Sequence, residues 1–184
     1  VYQYNFASDA EVLASARLAA DVVGATPMDR PEWATVHPNT GDVYLTLTNG
    51  NSSNRPSTDL DGANPRAVNS NGHIIRWREE AGDHAATSFE WDIFLFGSSA
   101  DASSDYNVSG LTADNEFSSP DGLFIDPRGV IWIQTDDGSS GIRGKTNNQM
   151  LVAIPGEVGD GAVCCQVAGV CHQNQIRQMP LLRT

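Results

Sequence analysis

Long apolar runs are missing from this chain. Nowhere in its 184 residues is there a stretch approaching the roughly 20 apolar residues of a transmembrane helix. Cysteine is scarce, with Cys164, Cys165 and Cys171 crowded near the C-terminus. An odd trio with no CxxC spacing is not a disulfide framework, and the compartment is not legible from it. Cys164-Cys165 reads instead as a buried pair in a strand. Positive charge is short as well: 11 Lys and Arg face 23 Asp and Glu, for a net charge of −12. That balance argues against nucleic acid or an anionic membrane as partner. No GxSxG, P-loop or HExxH motif is present. The four histidines (His37, His73, His84, His172) lack metal spacing and read as turn or surface residues. The acidic run Asp101 to Asp105 lacks the glycine and terminal Glu of an EF-hand. No leader peptide is legible, and Val1 in place of Met suits a trimmed product or a piece of something longer.

Length suffices for one domain with a real core. Val1 to Phe6 alternates apolar and polar residues, which predicts an edge strand. Ser8 followed by Glu11 forms a capping box, so a helix is expected from Asp9 to about Val22, with Gly24 as its cap. Val12, Leu13, Ala16, Ala19, Ala20 and Val23 make one apolar stripe, expected to pack. The helix delivers the chain to Met28-Asp29-Arg30-Pro31-Glu32-Trp33, a stiff turn that places an arginine between two acids.

Strands then recur. Trp33–Val36, Asp42–Thr48, Gly72–Glu79 and Ser88–Phe96 form a first set, with a long polar stretch from Asn49 to Asn71 inside it. Pro120-Asp121-Gly122-Leu123-Phe124-Ile125-Asp126-Pro127 repeats the spacing of Pro31-Glu32-Trp33-Ala34-Thr35-Val36-His37-Pro38. Each is followed by a Gly turn and a strand with an aromatic at the same place, Tyr44 or Trp132. Gln149–Ile154 and Ala162–Val167 complete the second set. Four-stranded units in tandem predict an all-β chain of about two β-propeller blades, residues 31–97 and 120–168, with one short N-terminal helix and an irregular tail over 169–184.

In a blade, the loop entering the first strand and the loop leaving the second open on the same face. Glu32 and Asp121 therefore take equivalent places on neighbouring blades, with Asn49, Asp136 and Asp137 on that face too. Carboxylate and amide oxygens suit a hard cation such as calcium. An arginine among them suits phosphate, which it grips bidentately. The alternative is that acids after a proline merely cap turns.

The segments Arg17–Asp21, Gly24–Trp33, Ala63–Ala67, Asn71–Arg76, Ser119–Leu123 and Trp132–Asp136 together resemble the PhoX family of bacterial alkaline phosphatases, from about Ala7 to about Gly161. The resemblance implies a six-bladed propeller and a metal-dependent phosphomonoesterase, secreted or periplasmic, using calcium and, in the best understood members, iron. It implies that Arg30 contacts phosphate, that Glu32 binds metal and that Asp121 is a further ligand. Asp136 joins the expected metal ligands, Arg30 and Glu32 are the expected catalytic pair, and Arg66 is the second expected substrate contact. Two departures stand out. Family chains are longer, and their early blades carry a cysteine and acids absent here. Near the C-terminus Gln166 replaces an acid. A calcium-dependent propeller hydrolase of lactonase or phosphotriesterase type, or a non-catalytic propeller fragment, are the competing readings. A lactonase has no need of the Arg30 clamp. Two blades cannot close a ring, so self-association is expected, with a cyclic trimer as its specific form.

Overall fold

The computed structural model describes residues 3–50, 60–137, 142, 145–156 and, as backbone, 166–172. It holds two antiparallel four-stranded sheets. The first runs β1 (Pro31–Val36), β2 (Val43–Leu47), β3 (His73–Glu79), β4 (Phe89–Phe96) in chain order. The second repeats that order with β5 (Pro120–Ile125), β6 (Ile131–Thr135), β7 (Gln149–Ile154) and β8 (Gln166–His172). The fold is all-β, as the strand periodicity and the tandem repeat predict.

The repeat holds to the level of register. Tyr44 pairs with Arg76 and Leu45 with Ile75 in the first sheet; Trp132 pairs with Val152 and Ile133 with Leu151 in the second. Both first strands carry a bulge at the same place. Pro31 pairs with Leu47 and Ala34 with Leu45, so three steps on β1 face two on β2. Pro120 and Leu123 pair with Thr135 and Ile133 in the same way. An extra residue on one strand kinks it and re-aims its side chains.

The core lies between the sheets. Tyr44, Ile74 and Phe94 from the first meet Leu123, Ile125, Ile131, Ile133, Leu151 and Ala153 from the second. The rings of Tyr44 and Phe94 stand edge to face, 5.2 Å apart. Arg76 is fully buried at this interface. Burial works against its charge, but hydrogen bonds to both carboxylate oxygens of Asp92, at 2.7 and 2.8 Å, and to Tyr44 prevail and raise its pKa. Its remaining nitrogen donates to the Gly156 carbonyl of the second unit at 2.8 Å. At the opposite edge from the Arg30 turn, the Asn39 amide donates to Pro127 O, so the two hairpin turns touch as well.

Four sequence expectations need correction. Residues 3–6 join neither sheet; the Tyr4 ring packs on Phe6 and its hydroxyl donates to Glu11, which ties this segment to the helix instead of a sheet edge. The helix is broken at Ser15 into α1 (Asp9–Ala14) and α2 (Ala16–Val23), with Gly24 capping in the left-handed conformation. Ser8 accepts from the Glu11 amide as a capping box requires, but the Glu11 carboxylate reaches back to Ala7 N. No residue of either helix is buried; Val12, Ala19 and Ala20 of the apolar stripe are half-buried, while Leu13 and Val23 are about four-fifths exposed. The last strand extends to His172, four residues into the stretch read as tail. Residues 162–165, with Cys164 and Cys165, lie outside the described residues.

Leu151 is fully buried between the sheets. Leu151→Ala should cost about 2–5 kcal/mol in urea unfolding, whereas Leu13→Ala should change stability by less than about 0.5 kcal/mol. Equal effects would contradict a core centred on the inter-sheet space.

Candidate active site

The site begins with backbone geometry. Arg30 has φ of 44°, in the left-handed region where a side chain is strained. Ser119, its repeat equivalent, has φ of 58°. Each carbonyl accepts a hydrogen bond from the strand beyond: Arg30 O from Thr48 N at 3.1 Å, Ser119 O from Asp136 N at 2.9 Å. The proline that follows each of them and the bulge beyond it place Glu32 and Asp121 in the same position on neighbouring sheets.

One hydroxyl joins the two bulges. Thr46 Oγ1 accepts from Trp33 N at 3.0 Å and lies 2.7 Å from the Asp121 carbonyl, to which it donates. Thr48 Oγ1 donates to the Pro120 carbonyl at 2.9 Å one step along. These bonds fix the first bulge against the second.

Around this seam the charged groups gather. Arg30 Nη2 donates to Glu32 Oε1 at 3.2 Å, with both side chains more than a third exposed. Asp121 is half-buried, and its pKa is raised, first by burial and then by the negative charge of Glu32 and Asp136; Arg30 partly offsets this. The four residues thus share one electrostatic site. Among the described residues, however, no three His, Cys, Asp or Glu come close enough to hold a metal ion unaided.

Behind the turn lies a polar network that the sequence pattern did not reveal. Asp29 is fully buried and accepts from Asn69 Nδ2 at 3.2 Å. Asn69 Nδ2 also meets His73 Nδ1 at 2.8 Å, and His73 Nε2 meets Ala63 O at 2.8 Å. The carbonyl can only accept, so Nε2 carries the proton and Nδ1 accepts. His73 is therefore wholly buried and not a turn or surface residue, a correction to the sequence reading. His37 does sit in a turn, its Nδ1 accepting from Asn39 N and Thr40 N, though it is buried; His84 is exposed beside Glu79. Gly50 covers Asp29 so closely that a Cβ there would lie 2.1 Å from the carboxylate. Asn64 Nδ2 donates to Pro27 O at 2.8 Å and holds the segment just before the turn.

Arg66 is placed differently from Arg30. Its guanidinium is buried between Tyr106 and Phe96, 3.8 and 4.5 Å from their ring centres. It donates to Gly97 O at 2.9 Å and to the Tyr106 carbonyl. Burial lowers its pKa. It fastens the 60–72 loop to the 97–119 loop. The 97–119 stretch is itself built into the core through Leu111 and Phe117.

Two bulged, tandem four-stranded units with an arginine and carboxylates on one loop face define a propeller-type protein with an acidic, arginine-bearing surface. The alkaline phosphatase PhoX family model matches residues 2–180, and the chain belongs to that family. It is 45% identical to the solved Pseudomonas fluorescens PhoX in complex with vanadate, a transition state analogue, with a TM-score of 0.69. That similarity covers 81% of this chain but 27% of the solved one, so the chain spans about a quarter of its length. No curated protein matches the chain.

The raised pKa of Asp121 has a stability consequence. Its carboxylate is disfavoured in the folded state, so folding loses stability as pH rises through the raised pKa. In chelator, Asp121→Asn should melt at a higher temperature than the parent at pH 7. The gap should close as pH falls toward about 4. Identical melting of the two proteins at every pH would contradict the crowding of Glu32, Asp121 and Asp136.

Proposed function

We propose that this chain carries the phosphate-facing part of a metal-dependent phosphomonoesterase, which releases inorganic phosphate from organic phosphoesters. The supporting observation is the Arg30 guanidinium, half exposed on a loop face shared with Glu32, Asp121 and Asp136. Family membership supports the same reading. In it, Arg30 grips two phosphoryl oxygens and holds the transferring group in line. The backbone at Arg30 is held by Thr48 N, and its guanidinium meets Glu32 at 3.2 Å.

Glu32, Asp121 and Asp136 are the residues we assign to the cation. They fit a hard cation in donor type, offering only oxygen, and burial together with the negative charge of Glu32 and Asp136 raises the Asp121 pKa. Calcium is our choice of metal on that donor set; iron, which the resemblance also brought in, has no assigned residue here. A calcium ion binds six to eight oxygens, more than these residues provide, so others come from substrate, water or further chain. When bound, the cation supplies electrostatic stabilisation of charge developing on the phosphoryl oxygens. Secretion or a periplasmic location follows the family reading; among the described residues no helix is long and apolar enough to cross a membrane.

A second reading, carried by the exposed Arg30 guanidinium alone, is that the chain binds phosphate without turnover. A lactonase-type hydrolase is disfavoured by Arg30. Phosphate release from a chromogenic monoester should rise with calcium and fall with chelator. Activity indifferent to chelator would remove the metal from the account, and binding without turnover would select the second reading. Arg30→Ala should weaken vanadate binding by about 1.5–3 kcal/mol in calorimetry, the worth of a hydrogen bond to a charged group. Unchanged affinity would exclude Arg30 as the clamp.

A further inference from the structure

The acid before Arg30 points away from the charged face, into the protein. Asp29 is fully buried, and Gly50 covers its carboxylate with no room for a Cβ between them. Gly50 is in turn bridged to Asn69 by backbone hydrogen bonds in both directions, at 2.9 and 3.0 Å. Two residues before Gly50, Thr48 N donates to Arg30 O. Residues 48–50 thus hold the Arg30 carbonyl at one end and cover the Asp29 carboxylate at the other.

Asn69 is oriented by what surrounds it. Its Oδ1 accepts from Arg66 Nη1 at 3.3 Å. Its Nδ2 donates to Asp29 Oδ2 at 3.2 Å and to His73 Nδ1 at 2.8 Å. An amide oxygen only accepts and an amide nitrogen only donates, so Arg66 on one side and Asp29 on the other demand the same orientation. A buried guanidinium and a buried carboxylate are joined through one amide, which offsets part of the cost of burying each. All four side chains are buried within this chain.

The second unit supplies a comparison. By register, Ser118 stands where Asp29 does, Ser119 where Arg30 does and Gln149 where His73 does. Ser119 adopts the left-handed conformation with no acid before it. Gln149 Nε2 donates to Glu116 O at 3.2 Å, as His73 Nε2 does to Ala63 O. The turn therefore folds without a buried charge, and the charge accompanies the arginine.

We infer that Asp29, held through Asn69, is the positioning residue of Arg30. It fixes the turn that sets the direction in which the Arg30 side chain leaves the backbone toward phosphate. The ligand rests on the phosphate reading above; the hold on the turn does not.

Vanadate titration and amide hydrogen exchange test this with Asp29→Asn and Asn69→Ala in the full chain. Each should weaken vanadate about three- to tenfold, the range that one lost hydrogen bond covers. Neither should add to the loss caused by Arg30→Ala, because Asp29 acts through Arg30. The Thr48 amide, which holds Arg30 O, should exchange faster, while the Asp136 amide, which holds Ser119 O, keeps its parent rate. Parent-like vanadate affinity, or losses that add to that of Arg30→Ala, would overturn the inference. So would a Thr48 amide that keeps its parent rate, or Thr48 and Asp136 amides that quicken together, the mark of general loosening or failure to fold. A parent that binds no vanadate would overturn the phosphate reading, and exchange at Thr48 against Asp136 would then decide the hold on the turn by itself.

Discussion

The hydroxyl of Thr46 holds the site together. It takes the Trp33 amide from the bulge of its own sheet and gives its proton to the Asp121 carbonyl of the next. With the Thr48 hydroxyl on the Pro120 carbonyl one step along, it sets the relation of the two bulges that bring Glu32 and Asp121 onto one face. With it, the extra residue in β1 and the extra residue in β5 turn their carboxylates onto the same loop face. The strained Arg30 backbone follows from the same register, since its carbonyl is held by Thr48 N and its next residue is proline. The gathering of charge on this face therefore rests on repeat geometry more than on any single residue.

The same repetition explains the energetics. The face that buries Ile133 and Leu151 is apolar because it packs on a sheet, and a tandem repeat gives the first sheet an equivalent apolar face. Arg76 is the exception within the covered interface. Paired with Asp92 and bonded to Gly156 O, it adds a directional contact where apolar packing alone would allow the sheets to slide. A buried pair of this kind contributes specificity of arrangement more readily than net stability.

Much of the fold was legible from one comparison, the eight residues from Pro31 against the eight from Pro120. Their equal spacing announced two sheets with the same strand order, and it placed Glu32 beside Asp121 before any coordinate was known. The bulges themselves were not legible, because a run such as Pro-Glu-Trp-Ala shows no gap where one residue falls out of register. The Asp29, Asn69, His73 network was hidden for a different reason. Its members lie up to 44 positions apart, and nothing in single residues shows that Gly50 makes room for a carboxylate. The setting of Arg66 was hidden as well, because its partners are backbone carbonyls and two rings from distant segments. The N-terminal alternation of Val1 to Phe6 misled because period alone does not supply a sheet edge to join.

The central claim is that Glu32 and Asp121, on different sheets, act on one ion. A double-mutant cycle on calcium affinity measures it directly, using Glu32→Gln, Asp121→Asn and the pair in calorimetric titration. If both carboxylates touch the same cation, the two losses will not add, and the coupling will exceed about 0.5 kcal/mol. Additive losses would mean separate ions or no shared site, and would contradict the account.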